Sequence, residues 1–398
     1  MTSDAPRDAA LPRMTMPLFT AGFRPLFLGA SAWSVIALAL WMAVLIGVFT
    51  LPSRFDPLSW HIHEMIYGFV LAAVGGFLLT AMANWTGLPP VANGALATLS
   101  ALWVAGRAVC VVSAWLAAWL AIAVDLAFPA ALMLVALRQL TAGGNRRNYP
   151  LLAPLLLLTV ADLLMHLTTL GVAIPIGLGW RLAMFSVVVL LSVIAGRIIP
   201  AFTRNWLAAR SDQRRPAETG PLDRIALGML HASSLCWVFV TDSSLVGAAL
   251  VAAGAMQLWR LARWQGQATV REPLLFILHL GYLWLAAGTV LLGVSTVWDR
   301  VPAAAGIHAL TTGAFGTMIL AVMTRATLGH TGRTLHADGA TMAVYVLVTF
   351  AGMLRVAAAW PGVWTMVLLE TAAAAWVAAF ALFVAHYGPM LMRPRSEA

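Results

Sequence analysis

The stretch WHIHEMIYGF, residues 60–69, places two imidazoles and a carboxylate at the start of an apolar segment. The Asp-Pro pair at 56–57 is typical of a helix N-terminus, so we expect these polar side chains in the first turns of a helix. Residues two apart on a helix point about 200° away from each other. We therefore expect His61 and His63 to face different neighbours and to have different roles.

Imidazole and carboxylate groups in an apolar segment suit two kinds of chemistry. Imidazole binds iron and copper, and a ligating histidine commonly donates its other ring N–H to a carboxylate. We expect Glu64 to be such a carboxylate or a proton acceptor. The alternative is a proton relay through the membrane. The stretch is not a zinc-protease motif, because HEMIY lacks the second histidine of HExxH.

Histidines in other apolar segments lie at a depth in the predicted membrane similar to that of His61 and His63. His308 lies roughly 9 Å along its segment from the predicted outer end, and His166 lies near the outer end of another. His279 lies nearer the middle. An imidazole cluster inside an apolar bundle is what a haem or a copper ion needs. We expect His63 and His308 to be the main metal ligands, followed by His61 and His279.

The composition places these residues in a membrane protein. The chain is 61% hydrophobic and 10% charged, whereas an average soluble domain is about 25% charged. A transmembrane helix needs about 20 apolar residues, and the chain divides into about twelve such spans. They fall near residues 26–50, 61–84, 92–112, 114–139, 150–171, 178–200, 222–241, 244–263, 272–294, 302–325, 338–359 and 362–391. The two cysteines lie inside apolar runs, which excludes a disulfide framework.

The basic residues predict the orientation. All 24 are arginines, and eighteen fall on one side of the predicted spans against four on the other. The positive-inside rule then places both termini in the cytoplasm. Contact with anionic lipid headgroups accounts for the net charge of +9, and we exclude nucleic acid as a partner. We predict a cytoplasmic segment 1–25, an all-α membrane domain 26–391 whose six-helix halves are joined by the loop 204–221, and a cytoplasmic tail 392–398.

Arginines from different spans form a second group of candidate site residues, at the predicted cytoplasmic ends of the spans. They are Arg24, Arg197, Arg325 and Arg333. Clustered guanidinium groups repel one another unless they bind an anion or carboxylates. A haem propionate, a lipid phosphate or an anionic substrate would serve. The alternative is ordinary anchoring of the cytoplasmic helix ends by positive charge.

Seven separated stretches together resemble the NnrS family, in the family's order across about 310 residues. The stretches are FRPLF (23–27), WHIHEMIYGF (60–69), GGFLLTAMANWTG (75–87), LWVAGR (102–107), GRIIPAFTRNWL (196–207), REPLLFILHLGYLWL (271–285) and HALTTGAFGTMILAVMTRATLGHTGR (308–333). One departure is Ala83, which stands where the family pattern has proline before NWTG. It alters the end of one helix and leaves the resemblance intact.

The resemblance implies a multi-pass protein of the bacterial inner membrane that contains haem and copper. It also implies a role in nitric oxide metabolism, denitrification and protection from nitrosative stress. The histidines in matching motifs are His61, His63, His279, His308 and His330, with His166 a weaker match. Whether the protein is an enzyme or a sensor stays open. The alternatives are a transporter of an anion or metal complex that uses the arginines, and a helper that assembles or protects other metalloenzymes.

Overall fold

A computed structural model describes residues 16–396 of the chain, and within that range it contains helices and no strand. The predicted all-α membrane bundle is therefore confirmed. Eleven of the helices in this range are long and apolar enough to cross a membrane. The predicted seventh span is also a helix, but Asp223 and Arg224 in its first turn make it less apolar. Residues 1–15 and 397–398, at the ends of the predicted cytoplasmic segments, lie outside the described residues.

We number the long helices in chain order. They are α1 (Phe23–Leu45), α2 (Pro57–Thr86), α3 (Asn93–Val112), α4 (Ala118–Ala142), α5 (Leu152–Thr169), α6 (Leu178–Ala208), α7 (Pro221–Phe239), α8 (Ser244–Ala262), α9 (Pro273–Ser295), α10 (Ala303–His330), α11 (Gly339–Ala357) and α12 (Thr365–Met392).

The helix ends lie within four residues of the predicted spans, except at the C-terminal ends of α1, α6 and α10. Helix α1 ends at Leu45, before the predicted residue 50, whereas α6 and α10 continue to Ala208 and His330, beyond the predicted residues 200 and 325. The predicted loop 204–221 therefore begins inside a helix. Hydropathy marks where hydrocarbon contact ends, whereas a helix satisfies its own backbone hydrogen bonds and can continue into the interface.

Helices that follow one another along the chain are mostly neighbours in space, and α1 also packs against α12. This contact brings the first and last helices of the bundle together. The most buried of the apolar helices are α2, α6 and α10. These three central helices carry the motifs at 60–69, 196–207 and 308–333, so the recognised stretches lie mainly in the interior.

Two of the central helices depart from regular α-helix directly after a histidine. In α2 the π-helical turn Glu64–Val70 directly follows His63. In α10 the π-helical turn Ala309–Gly316 directly follows His308. Such turns are rare and are frequent at functional sites. Their positions therefore mark the two histidine-bearing turns as candidate sites.

The agreement between α2 and α10 extends to their C-terminal ends. Gly87 follows His63 by 24 positions, and Gly332 follows His308 by the same interval. Both glycines adopt the left-handed backbone, with φ of +70° and +76°, that commonly ends a helix. The two helices are thus copies of one pattern. This repeat relates the second and tenth helices, which are not equivalent members of two six-helix halves.

Each π-helical turn also contains a glycine that lies against a tryptophan of the preceding helix. A Cβ atom added at Gly68 would collide with the Trp33 indole of α1, and one added at Gly313 would lie 2.7 Å from the Trp284 ring of α9. Glycine is required at both positions because only a bare backbone permits this approach. The shared packing holds α2 against α1 and α10 against α9.

Alanine at Gly68 or Gly313 is expected to lower the free energy of unfolding by about 1–3 kcal/mol, because overpacking forces the tryptophan or the backbone to move. The control is Gly228→Ala in α7, where an added Cβ meets nothing within 4 Å among residues 16–396. That variant is expected to be neutral or more stable, since alanine favours a helix over glycine. Unfolding in detergent micelles measures all three. Equal stability of Gly68→Ala and Gly228→Ala would contradict the packing argument.

Candidate metal site

The bundle buries a group of ionisable side chains between α2, α3, α4 and α5, which we call the acidic cluster. Its members are His63, Glu64, Arg107, Cys110, Asp125, Asp162 and His166, and all are buried. Charged groups are costly in a membrane interior and usually mark a functional site. The concentration of seven such groups in one region is therefore the main candidate site of the molecule.

The His63 imidazole lies at the centre of the acidic cluster. Its Nδ1 lies 3.0 Å from Glu64 Oε1. Its Nε2 lies 2.9 Å from Asp162 Oδ1 and 3.0 Å from Asp125 Oδ2. Both ring nitrogens therefore face carboxylates. Contact of one nitrogen with a carboxylate is the arrangement that fixes the tautomer and orientation of a metal-binding histidine.

Two more potential ligands converge on the same carboxylate. His166 Nε2 lies 2.9 Å from Asp125 Oδ2, and Cys110 Sγ lies 3.2 Å from that oxygen. One ligand atom each from His63, Cys110, Asp125 and His166 fall within 4.8 Å of one another. Two imidazole nitrogens, a sulfur and a carboxylate oxygen form a donor set suited to copper or zinc.

The cation of the acidic cluster is Arg107. Its Nη1 donates to Glu64 Oε2 at 2.8 Å, and its Nη2 donates to Asp125 Oδ1. Trp33 Nε1 also donates to Glu64 Oε2, at 2.7 Å. These contacts hold Glu64 and Asp125 in place at the two ring nitrogens of His63. The arginine was present in a recognised sequence stretch but was not predicted to be part of a site.

The charges of the acidic cluster do not balance. Three carboxylates face one guanidinium, which leaves a net charge of −2 when the acids are ionised and the imidazoles neutral. An uncompensated charge is strongly unfavourable in a buried site. Among the described residues Asp162 Oδ2 has no hydrogen-bond partner. A divalent metal ion, or protonation of both imidazoles, would restore neutrality.

A second group lies on the other side of α2, and we call its members, His61, His308 and Arg355, the basic group. His61 stacks on the Trp41 ring of α1, with centroids 4.8 Å apart. His308 lies within electrostatic range of both His61 and Arg355. The two histidines of α2 thus face different neighbours, in agreement with their spacing. The structure packs the His63 ring against the His166 ring, with centroids 5.6 Å apart, and it places His61 near enough to His308 for their charges to interact.

The basic group contains polar atoms without protein partners. His61 Nδ1 is buried and accepts or donates no hydrogen bond within the described part of the chain. Arg355 forms no ion pair with any carboxylate of residues 16–396. His308 Nδ1 lies 3.5 Å from Thr311 Oγ1, so its Nε2 points elsewhere. A guanidinium and two imidazoles that have no carboxylate partner among the described residues could bind an anionic ligand.

The remaining predicted histidines have neighbours outside both groups. His279 Nε2 in α9 lies 3.0 Å from Thr203 Oγ1 of α6. The His330 ring at the end of α10 packs on the Phe23 ring, with centroids 5.4 Å apart. A hydroxyl and an aromatic ring are ordinary structural partners for an imidazole. Metal binding by these two histidines stays a prediction.

The four predicted cytoplasmic arginines contact different partners. Arg24 donates to two backbone carbonyls near the C-terminus, those of Leu391 and Arg393. Arg197 donates to Asn148 Oδ1 at 2.8 Å. The guanidinium of Arg24 lies within electrostatic range of Arg333. These contacts resemble anchoring of helix ends more than a shared anion site.

Arg325 of α10 lies over the Phe202 ring of α6, with its guanidinium carbon 4.5 Å from the centroid. Arg333 Nη1 lies 3.4 Å from the carbonyl oxygen of Thr331 in its own turn. Counting residues along the spans placed the arginines at a similar depth in the membrane. It did not predict toward which neighbouring helix each arginine side chain points. Their grouping around one cofactor therefore stays a prediction.

Four members of the acidic cluster were missed as site residues by the sequence analysis. They are Arg107, Cys110, Asp125 and Asp162. A local signal existed for the two aspartates, because AIAVDLAF and LTVADLLM each place one carboxylate in the middle of an apolar run. An ionisable residue at such depth is a functional candidate by itself. Its neighbours, however, depend on which helices pack together.

Comparison with protein families agrees with the recognised stretches. The model of the NnrS protein family matches residues 17–395 of the 398-residue chain. No match was found among the curated proteins. The family match spans all twelve helices and includes the acidic cluster and the basic group. The chain therefore belongs to the NnrS family.

Proposed function

We propose that this protein binds copper at the acidic cluster and haem at the basic group, and that it acts in nitric oxide metabolism in the bacterial inner membrane. The observation that carries the proposal is the convergence of four ligand atoms within 4.8 Å. Membership of the NnrS family supports the connection with nitric oxide. The membrane-spanning helices support a location in a lipid bilayer.

The residues of the acidic cluster fit a copper ion. Soft sulfur and imidazole ligands favour copper. With Cys110 bound as a thiolate the acidic cluster would carry a net charge of −3, which a bound dication would reduce to −1. His63, His166, Cys110 and Asp125 would hold the ion. Glu64 would hold the His63 ring in place through Nδ1, as a carboxylate beside a ligating histidine commonly does. When bound, copper would supply one-electron chemistry.

The surroundings of His63 do not fit a haem. The rings of Phe55 and Tyr67 lie 4.8 Å from the His63 ring, and the His166 ring lies 5.6 Å away. Both ring nitrogens of His63 also face carboxylates, which a porphyrin bound there would have to displace. Of the two cofactors that the sequence left open for His63, our proposal therefore assigns it to the copper site.

The basic group fits a haem better. His61 has a buried ring nitrogen without a partner in the described chain, and His308 comes from the facing helix α10. Their imidazoles would hold the iron, and Arg355 would bind a propionate. When bound, the haem would supply nitric oxide binding or one-electron transfer. Trp41, stacked on His61, would keep that ring in place and exclude water.

The test of this proposal is metal and haem analysis of the purified protein. His308→Ala is expected to lose most of the Soret absorbance and to retain its copper, because the acidic cluster is intact. The control is His231→Ala in α7, whose imidazole contacts Ser192 at 2.9 Å. That variant is expected to retain both cofactors. An unchanged Soret band in both His61→Ala and His308→Ala would contradict the haem assignment.

A biological test concerns the nitric oxide role. A strain lacking the gene is expected to grow poorly under nitric oxide stress, and the wild-type gene should restore growth while His63→Ala should not. The transporter alternative has weaker support, because the predicted arginines contact separate partners. Flux of an anion through vesicles, abolished by Arg325→Ala with both cofactors retained, would favour the transporter.

A further inference from the structure

The three central helices, together with Phe27 of α1, line a half-open cavity near the middle of the bundle. The lining from α2 includes Val70, Ala73 and Phe77, and that from α10 includes Phe315, Met318 and Val322. The three residues of α2 follow His63 by the same numbers of positions as the three residues of α10 follow His308. The third wall comes from α6, which contributes Val187 and Ala195. The cavity is therefore a product of the repeated central helices.

The cavity lies just beyond the histidine-bearing turns. Val70 is the last residue of the π-helical turn in α2, and Phe315 lies near the end of the matching turn in α10. Each follows its histidine by seven residues, which corresponds to about 10 Å along the helix. Other lining residues, such as Ile194 and Ile319, are partly exposed. An apolar molecule dissolved in the bilayer therefore has a short route into the cavity.

The lining decides what class of molecule the cavity can hold. All lining side chains are hydrocarbon, aromatic or thioether groups, so they offer water and ions no hydrogen bond. Apolar cavities of this kind stay dry and bind guests such as xenon. The volume traced by the centre of a water-sized sphere is about 70 Å³. One water needs roughly 10–15 Å³ by that measure, so a few diatomic molecules fit and a porphyrin does not.

We propose that the central cavity is a binding site for a small, uncharged, apolar molecule of the size of a diatomic gas. We assign nitric oxide as that molecule, and this assignment rests on the proposed function. The cavity would concentrate nitric oxide from the bilayer beside the turns that carry His63 and His308. The gas would reach the ends of these turns without passing through water, because the lining of the cavity is apolar.

Xenon tests the site independently of any metal or nitric oxide chemistry. In crystals of the full protein pressurised with xenon, a peak is expected between α2, α6 and α10. Ala195→Phe, which fills the cavity from α6, is expected to lower xenon occupancy at least fivefold. The matched control is Ala248→Phe on the exposed face of α8, which should leave occupancy unchanged. Leu190→Ala should raise occupancy, because it enlarges the same cavity without crowding the helices.

Two results would overturn the site: absence of xenon from the wild-type cavity, or an acyl chain of a lipid filling it in the electron density. Nitric oxide is tested separately, by the rate at which it binds the haem of the purified protein. Ala195→Phe is expected to slow that rate several-fold, and Ala248→Phe is not. An equal rate in both variants would overturn the assignment of nitric oxide, whereas a haem-free protein that binds xenon would refute the proposed function and leave the site intact.

Discussion

Arg107→Met is expected to lower the free energy of unfolding by about 3–5 kcal/mol, the loss typical of removing one partner from a buried ion pair. The guanidinium is 3% exposed and contacts both Glu64 and Asp125. Methionine keeps the approximate volume but leaves two buried carboxylates without their cation. Unfolding of the metal-free protein in detergent micelles, followed by circular dichroism, measures the change.

Two further variants separate charge from packing at Arg107. Arg300→Met removes an exposed arginine and should change stability by less than about 1 kcal/mol. Adding Asp125→Asn to Arg107→Met should recover part of the lost stability, because it removes one of the unpaired charges. Wild-type stability in Arg107→Met, with no gain in stability when Asp125→Asn is added, would show that the carboxylates are not ionised in the folded protein.

Cys110→Ser is expected to weaken copper binding by more than roughly 100-fold, because a serine hydroxyl is a poor ligand for this metal. Loss of a residue that only supports a ligand costs roughly 10- to 100-fold in metal affinity, and loss of the ligand itself should cost more. The absorption band that arises from sulfur bonded to copper should disappear completely. Copper titration of the purified protein, followed by visible absorption, measures both effects.

The chain offers a matched control for this substitution, since it has one other cysteine. Cys236 lies exposed on α7, away from the acidic cluster. Cys236→Ser is therefore expected to bind copper with the affinity and spectrum of the wild type. If Cys110→Ser and Cys236→Ser gave identical spectra and affinities, Cys110 would not be a copper ligand, and the remaining histidines and carboxylates would have to form the site alone.

Composition and hydropathy predicted the fold because the bilayer imposes length and apolarity on every span. Helix existence followed from these constraints, whereas the ends of α6 and α10 did not, since polar residues continue a helix past the hydrocarbon boundary. The helix period also predicted that His61 and His63 face different neighbours. Their partners on α4, α5 and α10 could not be predicted, because the sequence does not state which helices are adjacent.

The same limit explains the arginines and the missed carboxylates. Depth along a span follows from counting residues, and it grouped Arg24, Arg197 and Arg325 at one level. The direction of each side chain depends on the rotation of its helix, which packing alone decides. Asp125 and Asp162 were visible as isolated charges in apolar runs, but a single carboxylate does not reveal that both contact the same imidazole of another helix, that of His63.

The common pattern of α2 and α10 gives each helix one imidazole at the same position. The two helices differ at the next residue, which is Glu64 in α2 and Ala309 in α10. The carboxyl group in α2 places an acidic partner 3.0 Å from its imidazole, whereas the methyl group in α10 leaves its imidazole with the cationic Arg355 nearby. One position of a shared helical pattern thus supports two electrostatic environments of opposite sign within one chain.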